Sequence, residues 1–110
     1  MVKFTLMQRC LVAEVTGDVD QHNAASIREQ TDIKIRCENI KNLVFDFTNL
    51  DFMDSSGIGI IIGRYKLVTS LGGKVAIAVK KPTIKRLLEL SGIGRIMPVK
   101  DSLTDALKTL

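Results

Sequence analysis

The sequence has few of the residues on which small enzymes and disulfide-stabilised proteins depend. It has no tryptophan, two cysteines and one histidine, His22. Cys10 and Cys37 lack CxxC spacing, and a zinc site would need both thiols, His22 and a carboxylate, so we expect buried free thiols instead. A single histidine also leaves a Ser–His or Cys–His device only one possible base. We therefore predict a protein that is not an enzyme and uses no metal or cofactor.

The sequence also lacks long hydrophobic runs. Its longest apolar run, 58–63, is far shorter than the ~20 residues that a membrane helix needs. Arg9 and Glu14 interrupt the apolar stretch near the start, so no secretory segment forms there. We expect a cytoplasmic protein without a membrane partner. The 110 residues, 45% of them hydrophobic and 25% charged, fit one globular domain, residues 1–110.

Aromatic residues are scarce, and this bears on how the positive charge is interpreted. The net charge is +4, and residues 74–100 contain seven cationic residues and one acidic residue. Aromatic residues make up only 5% of the chain and are not interleaved with this basic segment. Binding of single-stranded nucleic acid typically needs both features together. The pattern favours a solvated basic face, and we predict no direct nucleic-acid partner.

The hydrophobic pattern predicts alternating strands and helices. The predicted strands are 3–8, 10–16, 43–47, 74–79 and 96–99. Four helices are predicted: the first begins at the N-cap Asn23 and includes Ile35, and the others span 56–71, Pro82 to Ser91, and Ser102 to Leu110. The first two strands have almost no loop between them and should pair antiparallel, whereas strands separated by helices should pair parallel. The sequence therefore predicts an α/β domain with a mixed, mostly parallel sheet.

Residues 54–57, Asp-Ser-Ser-Gly, lie where ligands and partners usually meet an open α/β sheet, between a predicted strand and the next helix. The glycines that follow are spaced Gly57-x-Gly59-x-x-x-Gly63, one residue longer than the dinucleotide-binding pattern. The Gly-Lys-Ser/Thr of a P-loop and the G-x-S-x-G of a serine hydrolase are both absent. These patterns argue against a nucleotide-binding fold and against serine hydrolysis.

A serine at a helix start has two remaining interpretations. It is an N-cap that accepts hydrogen bonds from the first turn, or it is a hydroxyl that is modified. A phosphate at such a position gains about 0.3–1 kcal/mol from each interaction with the helix dipole and free N–H groups. It also adds about −1.5 to −2 of charge to an exposed surface without disturbing the fold. The residues alone leave both interpretations open.

The segment 52–66, Phe-Met-Asp-Ser-Ser-Gly-Ile-Gly-Ile-Ile-Ile-Gly-Arg-Tyr-Lys, closely resembles the signature of the bacterial anti-sigma factor antagonists of the STAS domain family. Residues 85–92 and the turn 16–20 resemble the same family, so the likeness covers nearly the whole chain. Asp18 stands where the family more often has Glu, and Thr31 replaces an apolar helix residue. Neither departure touches the serine pair.

The resemblance implies a STAS fold, with helices packed mainly on one face of the sheet. It implies that Ser55 is phosphorylated by an anti-sigma factor that is also an ATP-dependent serine kinase. The unphosphorylated protein would bind the ADP-bound form of that kinase and release a sigma factor, and a PP2C-like serine phosphatase would restore it. The implied role is control of sporulation transcription by partner switching. A STAS module of a stress-response or other pathway, with its own nucleotide contact, is the alternative.

The resemblance also implies which residues meet the anti-sigma factor. Asp18 and Asp20 would lie beside Asp54 and form an acidic rim around Ser55. Asp54 either positions the Ser55 hydroxyl, receives a cationic group from the partner, or is an Asx-turn or capping residue. The remaining expected contacts are Met53, Ser56, Gly57 and Ile58, with Met53 and Ile58 as an apolar centre.

Overall fold

The computed structural model of the protein describes residues 1–110 as two sheets and four α-helices. The strands are β1 (Val2–Met7), β2 (Cys10–Val15), β3 (Gly17–Val19), β4 (Asn42–Phe47), β5 (Leu50–Met53), β6 (Val75–Val79) and β7 (Val99–Lys100). The helices are α1 (Ala24–Cys37), α2 (Ser55–Ser70), α3 (Pro82–Ser91) and α4 (Leu103–Leu107), with a 3₁₀ turn at Ile93–Arg95.

The main sheet has five strands in the order β1-β2-β4-β6-β7. Only the β1–β2 hairpin is antiparallel, and the other three pairs are parallel. The mixed, mostly parallel sheet predicted from the sequence is therefore confirmed. A second sheet contains only β3 and β5, which pair in parallel. The hydrophobic pattern predicts neither of these strands, because segments of three and four residues are too short to show a period.

The end of the chain also differs from its prediction. The strand predicted over 96–99 is only Val99–Lys100, since residues 96–98 continue the bend after the 3₁₀ turn and the Met97 side chain lies in the core, where it is 3% exposed. The last helix ends at Leu107 instead of Leu110.

Three helices cover one face of the main sheet and one short helix lies on the other. The larger core joins buried residues of α1, α2 and α3 to alternate residues of the strands, among them Leu11, Leu43, Phe45 and Ile77. The opposite alternation forms a small cluster under α4, made of Val12, Val44, Ala76, Ala78 and Ala106. The prediction that helices pack mainly on one face is confirmed. No helix in the structure has both the length and the apolar character needed to cross a membrane.

Asp46 is the one charged residue of the apolar strand β4, and it shapes the turn that leads to β5. Its side chain is 6% exposed and accepts hydrogen bonds from the Thr48 backbone N–H at 3.1 Å and the Thr48 hydroxyl at 2.7 Å. Buried polar groups are retained when they are hydrogen-bonded in this way. The carboxylate therefore fixes the tight turn that directs the chain into β5 and on to α2.

Helix α2 is fixed against α1 by a buried ion pair. Arg64, on the buried face of α2, lies with its Nε 2.8 Å from Oδ1 of Asp32 on α1, and the two side chains are 11% and 19% exposed. Nε is not aligned with that oxygen for a hydrogen bond, and Nη1 has no partner. Burial lowers the pKa of the Arg64 guanidinium. The nearby Asp32 carboxylate opposes this decrease, whereas the positive charges of Arg28 and Arg36 add to it. This one contact compensates the guanidinium charge inside the α1–α2 interface.

Candidate functional site

The second sheet places the acidic turn next to the start of α2. In the β3–β5 pairing, Asp18 lies opposite Phe52 and Val19 opposite Met53. The backbone N–H of Asp54 then donates to the Val19 carbonyl oxygen at 3.0 Å, which extends the ladder by one bond. The structure thus brings together the loop after β3 and the N-terminus of α2, as expected for Asp18, Asp20 and Asp54.

Asp54, and not Ser55, is the N-cap of α2. The Asp54 carboxylate accepts a hydrogen bond from the Ser56 backbone N–H at 2.8 Å. Ser55 is the first residue of the helix; its side chain is exposed and its hydroxyl makes no hydrogen bond within the chain. Ser56 lies half-buried in the same turn. The capping interpretation of Ser55 is therefore wrong, because its neighbour already satisfies the first-turn donor.

A pair of substitutions at Asp54 separates its capping role from its charge. Asp54→Ala removes the cap and is expected to lower the free energy of unfolding by about 1 kcal/mol. Asp54→Asn keeps an oxygen acceptor and is expected to retain most of that stability. Urea denaturation of both variants measures the difference, and equal losses in the two would contradict a capping role.

The acidic rim consists of one free carboxylate and one that organises the loop. Asp18 is exposed, and its side chain makes no hydrogen bond within the chain. Asp20 is half-buried, and its Oδ1 accepts from the backbone N–H groups of His22 at 2.9 Å and Asn23 at 3.2 Å. His22 is exposed, with its Nδ1 3.8 Å from that same oxygen. Asp18 is thus free to meet a partner, whereas Asp20 first holds the turn.

Asn23 differs from its prediction as an N-cap. It occupies that position before α1, but its side chain makes no capping bond. Its Nδ2 donates to the Asp18 carbonyl oxygen at 2.6 Å, and its Oδ1 accepts from the Asp20 backbone N–H at 3.0 Å. The side chain points towards the loop instead of the helix because the loop provides both a donor and an acceptor. These two hydrogen bonds stabilise the conformation of the acidic loop.

Met53 and Gly57 lie below the surface of the site. Met53 is 6% exposed, so it cannot supply the apolar centre of a contact that the sequence led us to expect. A Cβ on Gly57 would lie 2.5 Å from Cγ of Met53, which explains the first glycine of α2 by packing. Ile58 is half-buried against the core. Gly59 is exposed and a Cβ there would meet nothing within 4 Å, so internal packing does not explain it.

Two exposed residues of β5 were not anticipated. Asp51 is exposed, and Phe52 next to it is 51% exposed. The sequence does contain a signal for this exposure: Phe52 and Met53 are adjacent apolar residues, and adjacent side chains of a strand point to opposite faces, so only one of them can face the core. Pairing with β3 decides which residue faces outward, and that pairing is invisible to local periodicity.

The two cysteines and the potential metal ligands are dispersed. Cys37 is exposed, which contradicts the expectation of two buried thiols. Cys10 is half-buried, and burial raises the pKa of its thiol above the usual value. No three His, Cys, Asp or Glu side chains come together as a metal-binding group.

The fold defines the class of the protein. A mixed, mostly parallel sheet with four helices is the arrangement of a SpoIIAA-like α/β domain. The chain belongs to the STAS domain family, whose family model matches residues 3–106.

Several known proteins are similar to this chain in sequence or in structure. The anti-sigma F factor antagonist of Paenibacillus polymyxa is 40% identical over 100 residues, covering 91% of this chain and 86% of that protein. The anti-sigma-B factor antagonist of Bacillus subtilis is 25% identical over 85 residues, covering 77% and 76%. The structure of unphosphorylated SpoIIAA superposes with a TM-score of 0.86 at 24% identity, covering 99% of this chain and 95% of that one, which supports the fold.

Proposed function

We propose that this protein is an anti-sigma factor antagonist that is switched by phosphorylation of Ser55. The observation that carries the proposal is the free, exposed Ser55 hydroxyl at a helix start whose capping bond is made by Asp54. The similarity to the anti-sigma F factor antagonist of Paenibacillus polymyxa, at 40% identity, supports the antagonist part of this proposal. We further propose that the protein acts in the control of sporulation transcription. The chain then serves as ligand and substrate of its partner.

The proposed cycle needs chemistry only from the partners. In the ADP-bound state, the anti-sigma factor binds the unphosphorylated protein and releases its sigma factor. In the ATP-bound state, the same kinase transfers the γ-phosphoryl group to the Ser55 oxygen; the hydroxyl proton passes to a base of the kinase and ADP leaves. A PP2C-like serine phosphatase hydrolyses the phosphoserine and restores the active protein.

The start of α2 can accept a phosphate without rearranging. Ser55 is exposed at the N-terminus of a helix of 16 residues, where the dipole and free N–H groups favour an anion. Nothing in the chain covers the hydroxyl, so the modification changes the surface and leaves the core intact. This is the physical profile of a binding switch.

The surface around Ser55 is suited to a cationic partner. In the acidic rim, Asp18 is exposed and Asp20 is half-buried; the exposed Asp51 and the half-buried Asp54 add negative charge beside it. We propose that the partner offers Arg or Lys to this acidic rim and approaches the helix over Gly59, where an exposed glycine leaves open space. Ser56 and Ile58 then lie at the edge of the contact, while Met53 and Gly57 support it from beneath.

Charge reversal at Asp18 tests this surface. Asp18→Lys is expected to lower the rate of association with the ADP-bound anti-sigma factor about tenfold and to weaken its dependence on salt, because exposed rim charges act mainly on encounter. The fold should be unaffected, since the Asp18 carboxylate has no internal partner. Stopped-flow association at several ionic strengths measures both effects.

The matched control is Asp105→Lys, which makes the same change of net charge at an exposed residue of α4, on the opposite face of the sheet. It is expected to leave the association rate within about twofold of the wild-type rate, because the charge is beyond the Debye length of ~8 Å. Equal association rates for Asp18→Lys and wild type would refute the proposal that the acidic rim meets a cationic partner.

A further inference from the structure

We propose that Phe52 is the anchor of the partner interface, and that the anti-sigma factor receives it in an apolar pocket with a cationic rim. This inference rests on the proposed function. Phe52 is the only aromatic residue among the exposed large hydrophobic side chains, and it lies directly opposite Asp18 of the acidic rim.

The exposure of Phe52 is unusual within this protein. It is 51% exposed, whereas Phe45 and Phe47 are at most 2% exposed and Phe4 is half-buried against the core. Nothing in the fold requires a phenyl ring at this position, since Leu50 and Met53 are the residues of β5 that enter the core. Aromatic side chains supply much of the binding energy of protein interfaces when a partner desolvates them.

The backbone that carries Phe52 is held on two sides. β5 pairs with β3, where Phe52 lies directly opposite Asp18. Lys81, at the start of α3, donates from Nζ to the Asp51 carbonyl oxygen at 2.7 Å. The ring therefore projects from a fixed strand, and little backbone entropy is lost when a partner binds it.

The charges around the ring determine the chemistry of the pocket. Phe52 lies between Asp51 and Met53 in sequence and opposite Asp18 across the strand pair. A partner that buries the ring must bring the Asp18 carboxylate, directly across the strand pair, close to its own surface. Burying a carboxylate without a counter-charge is costly, so the rim of the receiving pocket must carry Arg or Lys. These cations can also lie over the face of the ring.

The test compares three substitutions in titrations with the anti-sigma factor kinase of the same genome in the presence of ADP. Phe52→Ser is expected to raise the dissociation constant at least about 30-fold, mainly through faster dissociation. Phe52→Tyr keeps the ring and is expected to stay within about threefold of wild type. The control Leu90→Ser removes a side chain on α3 that is 71% exposed and should not change binding.

Thermal unfolding of each variant accompanies the titrations; if Phe52→Ser proves unstable, Phe52→Leu takes its place, with the same direction of effect expected. Binding of Phe52→Ser or Phe52→Leu within about threefold of wild type would overturn the inference while leaving the proposed function intact. Absence of binding by the wild-type protein would refute the proposed function, and the anchor with it.

Discussion

Phosphorylation of Ser55 is expected to weaken binding to the ADP-bound anti-sigma factor about a thousandfold. The phosphate adds about −1.5 to −2 of charge to a surface that already presents Asp18, Asp51 and Asp54. A cationic partner that matches the carboxylates has no counter-charge left for this group. Desolvating an unmatched anion at a packed interface costs several kcal/mol, and ~4 kcal/mol corresponds to a thousandfold change.

Calorimetric titration of the phosphorylated and unphosphorylated proteins measures this loss. Treatment of the phosphorylated protein with a serine phosphatase should restore the original affinity, and Ser55→Ala should bind about as tightly as wild type. The melting temperature should change little, because the Ser55 side chain is exposed. If the two forms bind within about tenfold of each other, phosphorylation is not the switch.

Asp32→Ala is expected to lower the free energy of unfolding by about 3 kcal/mol, a large effect for an acidic residue on a helix. The substitution leaves the Arg64 guanidinium buried without its counter-charge, with Nη1 already unpartnered. Arg28 and Arg36 on the same helix lie close enough to disfavour that charge further. Urea denaturation monitored by far-UV circular dichroism measures the loss.

A double substitution separates the buried charge from simple loss of packing. Replacing both partners by apolar residues, Asp32→Leu with Arg64→Met, is expected to be nearly neutral or stabilising, because no unpaired charge remains. Glu29→Ala, at an exposed position of α1, is the matched single control and should change stability by less than about 0.5 kcal/mol. Asp32→Ala with the same midpoint as Glu29→Ala would show that the ion pair does not stabilise the α1–α2 contact.

The main sheet could be predicted because each element has its own local signal. β4 and β6 are nearly continuous apolar runs, and α2 repeats its apolar residues at helical spacing until Gly72-Gly73. Gly72 has a φ of +85° and a Cβ on Gly73 would collide with the Lys41 carbonyl oxygen, so both glycines are required where the helix stops. The pairing directions, antiparallel in the hairpin and parallel elsewhere, follow from the short hairpin loop and the intervening helices.

The features that could not be predicted depend on contacts between distant residues. The outward direction of Phe52 follows from pairing with β3, more than 30 residues earlier in the chain. The sequence left the cap of α2 open between Asp54 and Ser55, since a carboxylate and a hydroxyl next to each other are equally good caps by composition; the structure assigns it to Asp54. Arg64 did carry a signal: it falls at the core-facing spacing of Ile60, Ile61 and Val68, where a charge requires a buried partner.

Intact-mass spectrometry tests the central claim most directly. The wild-type protein, Ser55→Ala and Ser56→Ala are each incubated with ATP and an anti-sigma factor kinase from the same genome. The account predicts one added phosphate on the wild type and on Ser56→Ala, and none on Ser55→Ala. Loss of the phosphate only in Ser56→Ala would contradict the assignment of the site. An unmodified wild type, with a kinase that is active on another substrate, would contradict the switch and favour a STAS module of another pathway.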